Sequence, residues 1–320
     1  MPLALPLRRD ALRLVAASWA ARLSFVLAMP AAAHSVDVDH WIEVSNLLAA
    51  GINPYGATTY LNWPPVWMQL AYVIGRATTV LDVPFLRVLQ VFLIGVESVL
   101  MVFVLRLVRD LAPDVDAFKV VLFGLALNPV AILLVCQHGN FDVLLVLWVV
   151  LFLSALLRFH RTGDTGDWLM ACLSLGLGVL TKAVPFVLAP LLAHRWRSLT
   201  PRMCGLEAAL LLGPVVLGLS VIYALAPEGV TANVLAYRSI GGWFGVSGLL
   251  RLAHASGLAG LHGAPFNLVL LSTMLLAGRA VIRRADMAAR DVVLIALLLM
   301  AMIPALGPGY GPSTGTGSFP

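Results

Sequence analysis

Asp37 and Asp39 stand a few residues beyond the first long apolar run of the chain, in His34-Ser35-Val36-Asp37-Val38-Asp39-His40-Trp41. Two carboxylates so placed suit a general base, or an anchor for a cation or for sugar hydroxyls. A D-x-D pair is also what a solvated helix cap looks like, and both readings stand at this level. A second polar turn, Cys136-Gln137-His138-Gly139-Asn140-Phe141-Asp142, separates two strongly apolar runs. It is too short for a generic linker. Asn140 and Asp142 either cap the helix that follows or belong to a site. Lys182 interrupts a pair of apolar runs at Lys182-Ala183-Val184-Pro185. Such a lysine either snorkels to the surface or pairs with an anion. Glu97, inside another apolar run, either pairs with a basic group or is protonated, and no chemistry is assigned to it.

The elements that position these groups are membrane helices. Of the 320 residues 60% are hydrophobic and 12% charged, and the mean hydropathy is +0.93. A bilayer penalises each charge by about 2.5–3.5 kcal/mol unless it faces water or a partner. The composition therefore predicts an all-α, polytopic transmembrane bundle forming one membrane domain over 1–320. Net charge is +5, but no basic stretch is interleaved with surface aromatics, so nucleic acid is not an expected partner. Cys136, Cys172 and Cys204 lie in or beside apolar runs at unrelated spacings and read as small hydrophobes. Residues 14–33 follow Arg8, Arg9 and Arg13 and are long enough to stay as a signal anchor.

Spanning segments are predicted near 14–33, 86–106, 118–136, 141–158, 168–181, 184–194, 205–226, 265–283 and 291–306. Runs 168–181 and 184–194 are too short to cross singly at the α-helical rise of about 1.5 Å per residue. The run 66–81 is interrupted by Gly75-Arg76 and is assigned to the interface or to a re-entrant loop. With the N-terminus in the cytoplasm, 15 of the 21 basic residues fall in cytoplasmic turns, as the positive-inside rule requires. Segments 34–85 and 227–264 become external loops, with 34–85 the active-site loop carrying interfacial, amphipathic helices. Asp37, Asp39, His138, Asn140, Asp142, Lys182 and Tyr310 then share the external side. Were 66–81 to cross, Arg106 and Arg109 would move outside and the later turns would invert.

Within the first external loop, Trp41, Val44, Leu47 and Leu48 recur at helical spacing. Gly51-Ile52-Asn53-Pro54-Tyr55-Gly56 reads as a turn, and Tyr60-Leu61-Asn62-Trp63-Pro64-Pro65 returns the chain to the membrane. Tyr55, Tyr60 and Trp63 either stack on sugar faces or rest on lipid in the interfacial belt.

In order and sidedness these segments resemble the GT-C superfamily of membrane glycosyltransferases. The likeness is greatest to GPI-type mannosyltransferases and bacterial polyprenyl-phosphate-mannose-dependent enzymes. Asp37-Val38-Asp39 looks like the acidic motif after the first helix. Gly51 to Tyr55 with Tyr60 to Pro65 is similar to the G-x-x-P-Y and W/Y-P-P turn. Asn128-Pro129 with His138 to Asp142 resembles the N-P … G-N/Q-x-D signature, and Lys182 to Pro185 the K-x-x-P helix break. Residues 14–195 carry the resemblance well and the remainder weakly.

The resemblance implies transfer of a hexose, mannose by this likeness, from a polyprenyl- or dolichyl-phosphate carrier. The acceptor is a glycan or glycolipid, and the external face of a bacterial inner membrane is the expected setting. Asp37 and Asp39 are the expected catalytic acids. Tyr55, Tyr60, Trp63, His138, Asn140, Asp142, Lys182, Arg238 and Tyr310 are the expected substrate-binding residues, with Lys182 and Arg238 suited to a phosphate. No cofactor is required; a divalent cation is permitted by the acidic pair but not demanded. A transporter or lipid flippase, which also uses broken helices and buried ions, is the rival reading, as is a non-catalytic subunit of a glycosylation complex. No inverted repeat is visible between the halves.

The end of the chain carries its own expectation, a C-terminally truncated version of a longer enzyme. After Gly307-Pro308-Gly309-Tyr310-Gly311-Pro312, residues Ser313 to Pro320 turn abruptly to Ser, Thr and Gly. If 312–320 are encoded CCC AGT ACT GGT ACT GGT TCC TTC CC, restoring one C gives Pro-Gln-Tyr-Trp-Tyr-Trp-Phe-Leu-Pro. That is a membrane-compatible continuation, similar to the G-Y-G-P-Q-Y stretch of related enzymes.

Overall fold

The computed structural model describes residues 5–30, 34–195, 200–235, 263–283 and 288–306. Regular structure among them is entirely helical. Among the described residues four helices are long and apolar enough to cross a membrane, and a fifth span arises if one bent pair is counted together. That fits a multi-pass membrane protein. The chain divides into two compact units, one of residues 1–52 and 65–167, the other of 53–64 and 168–320.

In the first unit, α1 (Leu5–Ala28), α5 (Phe85–Leu111) and α8 (Asp142–Thr162) are span-length helices. Ala11 and Leu14 of α1 pack with Met101 and Leu105 of α5 and with Ala117 and Val121 of α6 (Ala117–Val121). Leu100 of α5 packs with Leu144, Leu147 and Val150 of α8. The two ends of this unit differ. At one, Arg109 pairs with Asp10, Arg161 donates to Asp110 at 3.0 Å, and Arg158 donates to Asp167 at 2.8 Å. At the other, Arg87 donates at 2.6 Å each to two carbonyls at the C-terminal end of α1, Val26 within the helix and Met29 just beyond it. These are orphan acceptors that a helix C-terminus leaves to a cation.

The run expected as one span at 118–136 is broken. A π-helical turn, Leu122–Ala126, follows α6, and α7 (Pro129–Cys136) departs at a 46° bend. Asn128 caps α7 by accepting from the N–H of Val130 at 2.9 Å, with Pro129 at the first helical position.

The segment between Ser35 and Leu81 in this unit holds two helices, α2 (Val36–Ala49) and α4 (Pro65–Leu81). Trp41 and Val44 of α2 are buried, as their helical spacing predicts. Gly75-Arg76 does not interrupt α4, which runs unbroken through both. The glycine serves close approach instead: a Cβ there would lie 1.9 Å from Ser45 Oγ on α2.

In the second unit, α9 (Thr165–Thr181), whose first residues belong to the other unit, ends one residue before Lys182. The segment Val184–Arg195 is a 3₁₀ helix, not the α-helix expected. At about 2.0 Å rise per residue its 12 residues reach roughly 24 Å, short of a ~30 Å hydrocarbon core. Prolines 185 and 190 withhold backbone donors from it. The unit also holds α10 (Pro201–Leu225), α11 (Pro227–Val230), α12 (Gly263–Arg283) and α13 (Ala289–Leu306). The 3₁₀ segment packs against α12 and α13.

Candidate functional site

Ser35 begins α2 with extended backbone, but its hydroxyl does not cap the helix. It donates instead to the His138 carbonyl at 2.9 Å, joining turns about a hundred residues apart. The two aspartates that follow do not act as one cluster. Residues two apart on an α-helix point to nearly opposite sides, and Val38 between them is buried. Asp37, half-buried, has Oδ2 3.9 Å from His138 Nε2. Asp39, more exposed, has Oδ1 2.7 Å from His34 Nε2. The two acids therefore have different histidines and different surroundings.

The His138 turn is held by its neighbours. Gly139 has φ +64, a left-handed backbone that favours glycine. A Cβ there would lie 3.0 Å from Leu89 Cδ2 and 3.2 Å from Val38 Cγ2. Beside it Phe141 stacks on Trp67 at 4.3 Å, and Trp41 meets both rings edge-on. This aromatic cluster ties α2, α4 and the start of α8 together. Asn140 Oδ1 accepts from the Asp142 N–H at 2.8 Å, so Asn140 closes the turn into α8. The Gln90 side-chain amide donates to the Cys136 carbonyl, and Arg87 donates to Gln90 Oε1 at 3.1 Å. One polar chain thus runs from the end of α1 to the start of the His138 turn.

Glu97 pairs with Arg22 of α1, a residue the sequence reading passed over. Arg22 Nη2 donates to Oε1 at 2.5 Å, and Nε lies 2.5 Å from Oε2. The signal was available: an arginine in the middle of a predicted span, with an acid in the middle of another.

In the second unit Tyr55, on the short helix α3 (Pro54–Ala57), is 1% exposed and donates to the Trp63 carbonyl at 2.6 Å. Burial pushes its phenol above the ordinary tyrosine value, so it stays a donor. The ring is core, and presents no free face to sugar or lipid. Tyr60 and Trp63 are half-buried. Gly229 of α11 closes on Tyr55, where a Cβ would meet the Tyr55 carbonyl, and Asn233 donates to the Thr58 carbonyl at 2.9 Å. The two segments assigned to external loops thus meet here. Lys182 is half-buried at the break after α9. No group of three or more His, Cys, Asp or Glu arranged to hold a metal occurs among the described residues. Arg238 and Tyr310, most of 227–264 and the tail 313–320 lie outside the described residues.

The model of the dolichyl-phosphate-mannose-protein mannosyltransferase family matches residues 62–225, just over half of the chain. The chain belongs to that family. It is thereby a member of the GT-C superfamily, as the motif order implied. No curated protein and no solved structure matches the chain. Within this mannosyltransferase family member the matched stretch contains Trp63, His138, Asn140, Asp142 and Lys182, whereas Asp37 and Asp39 precede it.

Proposed function

We propose that the protein transfers mannose from a polyprenyl- or dolichyl-phosphate carrier to a hydroxyl of a glycan or glycolipid, with Asp37 as the general base. The observation that carries this reading is the meeting of Asp37 and His138, from turns a hundred residues apart, at the end of the first unit opposite its arginine-rich end. The basic end is cytoplasmic by the positive-inside rule, so the Asp37 end faces outward.

In the reaction the acceptor oxygen attacks the anomeric carbon as the bond from that carbon to the phosphate oxygen breaks. The acceptor proton passes to the Asp37 carboxylate, and the electron pair of the broken bond leaves on the carrier phosphate. His138 Nε2, 3.9 Å away, orients the carboxylate directly or through a water. By its resemblance to the K-x-x-P motif, and not by the geometry above, Lys182 is the proposed cation for the leaving phosphate, because a fixed cation acts strongly on charge developing in a low-dielectric site. Asp39, turned to His34, is not the base in this scheme.

The test is a radiolabelled polyprenyl-phosphate-mannose assay in proteoliposomes. Asp37→Asn is expected to lower transfer by about 10²–10⁴, the range for losing a general base, with insertion intact. Asp39→Asn is expected to retain far more activity. Lys182→Ala should weaken donor dependence more than acceptor dependence, with only partial rescue in Lys182→Arg. Wild-type turnover in Asp37→Asn sinks the assignment.

A further inference from the structure

We propose that the buried Arg22–Glu97 pair is a positioning device that holds the break at Asn128-Pro129 and thereby aims α7 and His138 at Asp37. This rests on the reading of Asp37 and His138 as the reacting end.

The break creates the need. Pro129 has no N–H to give the Leu125 carbonyl, which keeps only a 3.3 Å bond from Asn128. The Val130 N–H, which a continuous helix would give to Ala126, goes instead to the Asn128 side chain. Two carbonyls in a membrane helix are thus left short of donors, where no bulk water can supply them. Arg22 meets both, with Nη1 2.6 Å from the Ala126 oxygen and Nη2 3.1 Å from the Leu125 oxygen. Nη2 also donates to Glu97 Oε1 and Nε lies beside Oε2, so the carboxylate neutralises the guanidinium. Arg22 is 0% exposed and Glu97 2%.

The same residue touches the far end of α7. The Arg22 carbonyl lies 4.0 Å from Cys136 Sγ, and Gln90 holds the Cys136 carbonyl. With the turn before it held by the Arg22 side chain and its last residue held by Gln90 and the Arg22 carbonyl, this eight-residue helix takes its direction from contacts with α1 and α5. His138 follows two residues later.

The experiment separates aim from stability. Spin labels on cysteines introduced at Val36 and Gln137, both exposed, report the separation of the two turns in nanodiscs, with Cys204→Ser removing the exposed native thiol. Arg22→Leu with Glu97→Leu is expected to broaden or shift that distance, lower the thermal midpoint and reduce mannose transfer about a hundredfold. Adding Asn128→Ala and Pro129→Ala returns backbone donors to Leu125 and Ala126. The midpoint should then recover, while the label distance stays displaced and transfer stays low. A pair that only stabilised the bundle would give back activity together with stability, and that result overturns the proposal. So does an unchanged label distance in the Leu–Leu variant. Should that variant not fold, Arg22→Lys serves: it keeps the charge but lacks the fork, and is expected to displace the labels and cut transfer about tenfold. An unmoved distance there is equally fatal. If the wild type transfers no mannose, the functional reading fails, and the label distances still decide the positioning.

Discussion

The molecule breaks two apolar helical runs at proline and mends them differently. At Asn128-Pro129, in the first unit, the freed carbonyls are met by Arg22 from another helix. At Lys182-Ala183-Val184-Pro185, in the second, the chain changes its own winding to 3₁₀, with Phe186 N–H donating to the Ala183 carbonyl at 3.1 Å. The first repair ties the direction of the next segment to distant residues. The second is local, written in the prolines themselves. A turn that must meet Asp37 follows the first; a half-buried lysine sits at the second.

Variants that attack one repair and spare the other sharpen this contrast. The largest effect is expected from Arg22→Leu alone. It leaves Glu97 buried without its partner and the two carbonyls unmet, at about 3–5 kcal/mol, read as a collapse of the folded fraction in detergent. A thermal midpoint close to wild type would mean that the first break mends itself.

Gly139→Ala comes next. Its positive φ and the closeness of Leu89 and Val38 predict a loss of about 1–2 kcal/mol, with a fall in transfer larger than stability alone explains. Pro190→Ala, inside the 3₁₀ segment, is expected to change stability by only about 0.4–1 kcal/mol. A larger loss would show that the second repair also depends on tertiary contacts.

The smallest effect concerns Asp116, the cap at the start of α6. Hydrogen bonds from the Lys119 backbone N–H, and then its side chain, hold this exposed carboxyl below the ordinary carboxylate value. A depressed folded value means the cap's contribution is present above the ordinary range and lost as pH falls through the folded one. Its carboxyl resonance should titrate below that of a free aspartate, and Lys119→Ala should raise the midpoint.

Much of the site was legible because single residues carried it. Proline 185 announced its break, since a missing N–H needs no tertiary context; Pro129 did not, because the apolar run 118–136 reads as one span across it and only the structure showed the bend. Gly139 announced a turn, and the helical spacing of Trp41 and Val44 announced the buried face of α2. Motif order pointed to the family. Other features were ambiguous by type. Gly75 looked like an interruption, and only the approach of Ser45 showed it to be a contact. Tyr55 looked like an interfacial aromatic, and only its burial, with the hydroxyl bonded to the Trp63 carbonyl, showed it to be core.

What the sequence determined by itself was the set of apolar runs, the places where they must end, and the acids and bases too expensive to bury alone. Tertiary structure decided the partners. A charge in a membrane must be met, but its type and position do not say by what. Arg22 met Glu97 and two carbonyls across three elements. The separation of Asp37 from Asp39 was also structural, because a D-x-D pair faces one way in an extended strand and two ways on a helix. Once α2 wound at 3.6 residues per turn with Val38 inward, the two carboxylates had to part.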